Sequence, residues 1–243
     1  MMKILVISDV HSNLNALEAV LKDAGEFDAI WFLGDLVGYG PDPNECIARV
    51  RGLPNLVGMM GNHDIAVLNE IDVRDFNQEA RQAIIWTQSV LTPENQVYLT
   101  SLSEMKVEGQ FTLVHGSPRY PIWEYLLDVF SARSSFEHYQ TDFCLVGHTH
   151  IPVIFQQQVK FPNVRLESPL INQKIDLQAR AILNPGSVGQ PRDHNPMAAY
   201  AILDPVNLTW ECRRVPYDIA AVQARMQAAN LPDRHTTRLS AGW

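Results

Sequence analysis

Asp9 and His11, Asp35, the run Asn62-His63-Asp64, His115, and finally His148 and His150 are the residues of this chain whose types and spacing could do chemistry. They stand in short patterns: Asp9-x-His11, Gly34-Asp35, Gly61-Asn62-His63-Asp64 and Gly147-His148-x-His150, with His115 alone before the last. Carboxylate, amide and imidazole together suit a divalent transition metal. Singly, each signal is weak, because an Asp after an apolar run is ordinarily a turn or helix-cap residue. Recurrence in order changes that weighting. Of eight histidines, five fall at these positions, whereas His138, His194 and His235 read as ordinary core or surface side chains.

What must position these residues is visible in the residues before them. Ile4–Ile7, residues 29–33 and 56–60, Phe111–Val114 and residues 143–146 are short apolar runs, and each runs into one of the patterns. Such runs between helical segments read as strands of a sheet covered on both faces. Their C-terminal ends then lie along one edge, the place where open α/β folds bind ligands. On extended backbone Asp9 and His11, two apart, project to the same side. Ser12 or Asn13 can cap a helix carrying Leu14, Leu17, Val20 and Leu21 on one face, with Gly25 as its stop.

The ordered set of motifs closely resembles the calcineurin-like metallophosphoesterases, especially their small bacterial and archaeal members. It spans residues 9–150, and Asn184-Pro185-Gly186-Ser187 is similar to a further loop of that family. The resemblance implies an α/β fold of two face-to-face mixed β-sheets flanked by helices, a four-layer α/β/β/α sandwich. It implies two divalent metal ions per chain, bridged by Asp35, with Asp9, His11 and His150 completing one site and Asn62, His115 and His148 the other. His63 would face the leaving group as proton donor or cation, and Asp64 would orient its ring. Mixed imidazole and oxygen donors suit Mn, Fe, Co, Ni or Zn better than Mg or Ca, and Mn is the expected ion. The implied activity is hydrolysis of phosphodiester or phosphomonoester bonds of small molecules, nucleotides among them, by attack of a metal-bridging hydroxide.

One departure bears on the substrate. Protein serine/threonine phosphatases of the wider family carry, after the second motif, an Arg that grips a phosphomonoester; here Gly34-Asp35-Leu36-Val37-Gly38-Tyr39-Gly40 places Tyr39 there. That weakens the protein-phosphatase alternative and predicts a preference for diesters, whose second arm a tyrosine accommodates better than it grips a second charge. Arg119 and Arg192 are the candidates for a replacement cation. Tyr120 and Trp123, on a proline-interrupted loop after His115, are candidates for a substrate wall. A non-catalytic scaffold of the same fold should have lost part of the site, yet every ligand position is present.

The rest of the chain sets bounds. Its 243 residues fit one domain, with the segment 65–109 either a pair of packing helices or a partial cap over the metals. A net charge of −8 argues against a protein that tracks a nucleic-acid polymer. No run reaches the roughly 18 apolar residues of a spanning helix, so no membrane partner is expected. Cys46, Cys144 and Cys212 lack C-x-x-C spacing and read as buried free thiols of a cytoplasmic protein. Beyond residue 153 shorter, alternating runs predict a second, mostly antiparallel sheet, then a helix bearing Ile219, Val222 and Met226, and a tail over 232–243. Arg213-Arg214 reads as a solvated strand end.

Overall fold

The computed structural model describes residues 2–158 and 163–243. Strands β1 (Ile4–Ile7) and β2 (Ala29–Phe32) are buried at every position. The alternation of side chains explains why they carry no polar face: Leu5, Ile7, Ile30 and Phe32 enter an outer core under helices, and Ile4, Val6, Ala29 and Trp31 enter an inner one. Helix α1 (Leu14–Ala24) links them, and Asn13 caps it by accepting the amide of Ala16 at 3.1 Å. Helix α2 (Pro43–Arg51) opens on a proline and leads to β3 (Leu56–Gly58), so that β1, β2 and β3 run parallel.

Helices α3 (Asn62–Val67), α4 (Gln78–Val90) and α5 (Pro93–Thr100) precede the hairpin of β4 (Met105–Glu108) and β5 (Phe111–Val114). Helix α6 (Val129–Ser135) then leads to β6 (Phe143–Leu145), β7 (Val153–Gln157), β8 (Val164–Glu167), β9 (Lys174–Asp176) and β10 (Ala181–Asn184). Strands β11 (Ala198–Asp204) and β12 (Thr209–Val215) and helices α7 (Ile219–Ala228) and α8 (Asp233–Ala241) complete the order.

Two six-stranded mixed sheets result, β3-β2-β1-β11-β12-β9 and β4-β5-β6-β10-β7-β8. Their inner faces share a core that includes Trp31, Phe111, Phe143, Leu183 and Trp210. Residues of α1, α2, α4, α7 and α8 join the outer face of the first sheet, and Ala132 of α6 joins that of the second. No helix among the described residues is long and apolar enough to cross a membrane. The three cysteines are buried and free.

Several expectations are corrected. The motif-bearing strands do not share one sheet edge: β1, β2 and β3 lie in the first sheet and β5 and β6 in the second. Nor do the later strands form a sheet of their own. β11 pairs antiparallel with β1, and β10 pairs parallel with β6, so each sheet mixes early and late strands. Strands β4 and β9 escape sequence reading because they are sheet-edge strands whose residues stay largely exposed, with no apolar run to announce them. Residues 232–243 are not a tail but mostly α8, whose Leu239 enters the outer core. Arg214 is buried and paired with Asp193, so it is no solvated strand end. In segment 65–109, Ala80, Ala83 and Ile84 of α4 pack into the outer core.

Candidate metal centre

The loops that leave β1 and β2 are stitched together by main-chain bonds, from Asp9 to Gly34 and from His11 to Asp35, each at 3.0 Å. Asp9, His11 and Asp35 all take left-handed backbone, with φ of 54°, 47° and 58°, and so do His148 and His150 at 63°. Asp9 and His11 are therefore not on extended backbone as expected; sharp left-handed turns aim them inward. Such conformations cost about 1–3 kcal/mol each and concentrate at functional sites. Asn184 donates to the carbonyl of Gly147 at 2.7 Å and Ser187 to that of Asp9 at 2.8 Å, so their loop ties the two sheets' motif ends to each other.

These bonds bring two groups of buried side chains together: Asp9, His11, Asp35 and His150 in one, Asp35, His115 and His148 in the other. Asp35 belongs to both, with Oδ2 lying 3.5 Å from His11 Nε2 and 3.4 Å from His115 Nε2. Asn62 Oδ1 lies 3.2 Å from His115 Nε2 and joins the second group.

Each of the four rings is pinned from behind. His11 Nδ1 meets the carbonyl of Val37 at 3.1 Å, His115 Nδ1 that of Leu33 at 2.8 Å, His150 Nδ1 that of Gln190 at 2.5 Å, and His148 Nε2 that of Trp123 at 3.2 Å. A carbonyl can only accept, so these nitrogens carry the ring hydrogens and the other nitrogen of a neutral ring presents a lone pair. Those lone pairs converge: His11 Nε2 and His150 Nε2 are 3.2 Å apart, and His115 Nε2 and His148 Nδ1 are 3.1 Å apart. Asp9 Oδ1 is buried beside them with no hydrogen-bond partner. Lone pairs facing lone pairs repel unless a cation lies among them, so the donor set fits a metal ion at each group.

Burial disfavours a charged His115, but the Asp35 carboxylate outweighs it and holds the ring up at about 9. Burial keeps His11, His148 and His150 well below the ordinary histidine value, in the neutral form that ligates. Burial also works to raise the Asp35 pKa, yet its histidine neighbours, His115 first, overcome it and hold the group well below the ordinary carboxylate value.

His63 stands at the first group without a pinned ring. Its centroid lies 4.9 Å from that of His11 and 4.3 Å from that of Tyr39, and its Nδ1 has no partner. Burial lowers its pKa to about 4. Gly38, at φ 92°, makes room for it, because a β-carbon there would lie 2.5 Å from His63 Nδ1. Asp64 does not reach that ring as expected. Its carboxylate instead accepts from the amides of Asp35, Leu36, Val37 and Gly61 at 2.8 to 3.1 Å, clasping the Asp35 loop.

Around the rim, Trp123 packs on Phe76, which packs on His63. Tyr120 is 60% exposed and stacks under Arg119, whose guanidinium pairs with Glu124. Arg192 does reach the site, 3.5 Å from Tyr39 Oη. Sequence reading missed Tyr125, stacked on His148 with centroids 3.8 Å apart, as well as Phe76, Gln190, His235 and Arg238. Tyr125 adjoins a loop already singled out; the others carry no local signal.

A model of the calcineurin-like phosphoesterase superfamily domain matches residues 2–207. An uncharacterized protein of Methanocaldococcus jannaschii is 39% identical over 98% of each chain. The crystal structure of a metallophosphoesterase from Sphaerobacter thermophilus superposes with a TM-score of 0.92 at 47% identity, covering 100% of this chain and 99% of that one. Phosphodiesterase YfcE of Escherichia coli K12 is 26% identical over 84% of this chain and 88% of its own.

Proposed function

Because the chain belongs to the calcineurin-like phosphoesterase superfamily, we propose that it is a metal-dependent hydrolase of small phosphoesters, nucleotides among them, working with two divalent ions. The observation that carries this reading is the pair of converging lone-pair clusters joined through Asp35. Asp9, His11, Asp35 and His150 would hold one ion, and Asp35, Asn62, His115 and His148 the other. The donor chemistry favours Mn, Fe, Co, Ni or Zn, with Mn the first to try. When bound, such a pair supplies hydroxide at neutral pH and positive charge for the phosphoryl oxygens.

The protein's own contribution is positional. Val37, Leu33, Gln190 and Trp123 fix the ring tautomers through their carbonyls, and Asp64 is a positioning residue for the Asp35 loop. His63 is neutral before substrate arrives. A phosphate anion close by favours its protonated form, as Asp35 already does, and the ring can then give its proton to the departing oxygen. Trp123 and Tyr125 would wall the ester's organic part. Relatives named phosphodiesterase, and a symmetrical bis(5'-nucleosyl)-tetraphosphatase of Erwinia tasmaniensis 38% identical over 28% of this chain, support a small-molecule phosphoester.

The test is turnover of nitrophenyl phosphate and bis(nitrophenyl) phosphate by the Mn-loaded protein, abolished by chelation and restored by Mn. Metal-loaded protein that turns over neither ester, nor any of a dinucleotide panel, would return the chain to the scaffold reading.

A further inference from the structure

Helix α8 lies beyond residues 2–207, the part of the chain that the family model matches, yet it reaches the candidate site. The His235 ring lies 4.4 Å from that of Tyr39, on which His63 also packs. Arg238, one turn on, donates from Nη1 to Gln190 Oε1 at 3.3 Å. Arg192 donates to the same oxygen from Nη2 at 3.2 Å. The main-chain carbonyl of the same Gln190 accepts from His150 Nδ1, so the residue that gathers the two arginines also pins a ring of the first cluster.

Two guanidinium groups thus converge on one neutral amide oxygen. Among the described residues Arg192 has no carboxylate side chain at ion-pair distance, unlike Arg213, Arg214 and Arg225. Arg192 Nε is buried and has no hydrogen-bond partner. Arg238 is anchored at its other end, where Nε donates to the main-chain oxygen of Trp243 and the guanidinium lies over the indole, 5.4 Å from its centroid. Burial and the Arg192 charge lower its pKa to about 10, which leaves it a cation at neutral pH. Like charges held together cost free energy unless an anion joins them, and a fork of N–H donors matches phosphate oxygens.

We propose that Arg192 and Arg238 form a clamp for a dianionic phosphate, the end of a phosphomonoester or a terminal phosphate, beside the first metal cluster. The inference rests on the phosphoesterase reading and sharpens its substrate class. It also reverses the expectation drawn from Tyr39. The cation missing from the second motif is supplied from 153 residues away, with Arg192 Nη2 3.5 Å from the Tyr39 hydroxyl. A diester offers one charge and a second arm at this place; a monoester offers the second charge that the clamp lacks.

The first test needs no metal and no turnover. Inorganic phosphate titrated into metal-free full-length protein at pH 7.5 should bind, and Arg238→Gln and Arg192→Lys should each weaken it about tenfold or more. Arg238→Gln alters a partly buried side chain of the fold's last helix, and Arg192→Lys keeps the charge but not the fork, so at least one folded variant is expected; thermal unfolding checks this. Wild-type protein that does not bind phosphate, or binding unchanged in both variants, overturns the clamp. The second test is the ratio of kcat/KM for nitrophenyl phosphate to that for bis(nitrophenyl) phosphate with Mn. It should favour the monoester in wild type and fall about tenfold or more in Arg238→Gln. A wild-type preference for the diester, or equal loss on both esters, counts against the clamp, whereas inactivity toward every ester strikes the phosphoesterase reading and leaves the phosphate titration to judge the clamp alone.

Discussion

Asp35 Oδ2 stands within 3.5 Å of a ring nitrogen from each cluster, which no other carboxylate of the site does. Asp35→Asn is therefore expected to lose metal at both clusters, whereas His11→Ala should lose it mainly at one. Elemental analysis of the purified variants decides this, and two ions retained in Asp35→Asn would remove the bridging role. His63 lies against the first cluster with no pinning partner on Nδ1. His63→Gln should keep both ions and lower kcat by roughly 10²–10⁴, the range for a lost general acid. The loss should be smaller for nitrophenyl than for alkyl leaving groups, since nitrophenolate departs without a proton. Metal loss in this variant would make His63 a ligand instead. Both experiments separate roles that the motif spells identically, because sequence shows which residues adjoin but not which nitrogen each ring turns inward.

At the scale of elements, the Asp35 loop and the start of α3 behave as one unit because Asp64 joins them. One carboxylate receiving four main-chain N–H groups cannot be replaced by an amide, which has a single acceptor oxygen and adds donors where donors already point. Asp64→Asn should destabilise the fold by about 2–3 kcal/mol, the cost of leaving buried amides unmatched. It should also weaken metal binding, since Asp35 hangs from the clasped loop. Chemical denaturation and a metal titration measure the two effects; an unchanged midpoint with unchanged affinity would show the clasp to be dispensable. The residue type and the position of Asp64 after Asn62-His63 were plain in the sequence. Its task was not, because a helix-capping Asp and a ring-orienting Asp look alike until the hydrogen bonds are seen.

At the scale of the whole molecule, the docking of α8 on the outer core carries a titration of its own. His235 is buried with neither ring nitrogen hydrogen-bonded. Burial, with the Arg238 charge next, lowers its pKa from 6.5 to about 3. The unfolded chain takes up a proton below 6.5 that the folded chain refuses until about 3, so stability falls as pH drops through that window. His235→Phe should flatten this acid limb, measured as the change in unfolding midpoint between pH 7 and pH 4; an unchanged slope would show that His235 is not responsible. Nothing in residues 232–243 announced such a role, whereas the strands that end in Asp9, Asp35, His115 and His148 were legible at once. The difference is physical. A short strand covered on both faces must be a continuous apolar run, and a ligand that follows it must sit at its tip, so strand, tip and ligand type are written locally. By itself the sequence therefore determined the motif-bearing strands, the candidate ligands and, through their order, the family. Which sheet each strand joined, which ring nitrogen faced inward, and that Arg192 and Arg238 stand beside Tyr39 depended on partners far apart in the chain. Those outcomes follow from which apolar faces cover one another when β11 pairs with β1 and α8 packs on the outer core, and only the tertiary structure decided them.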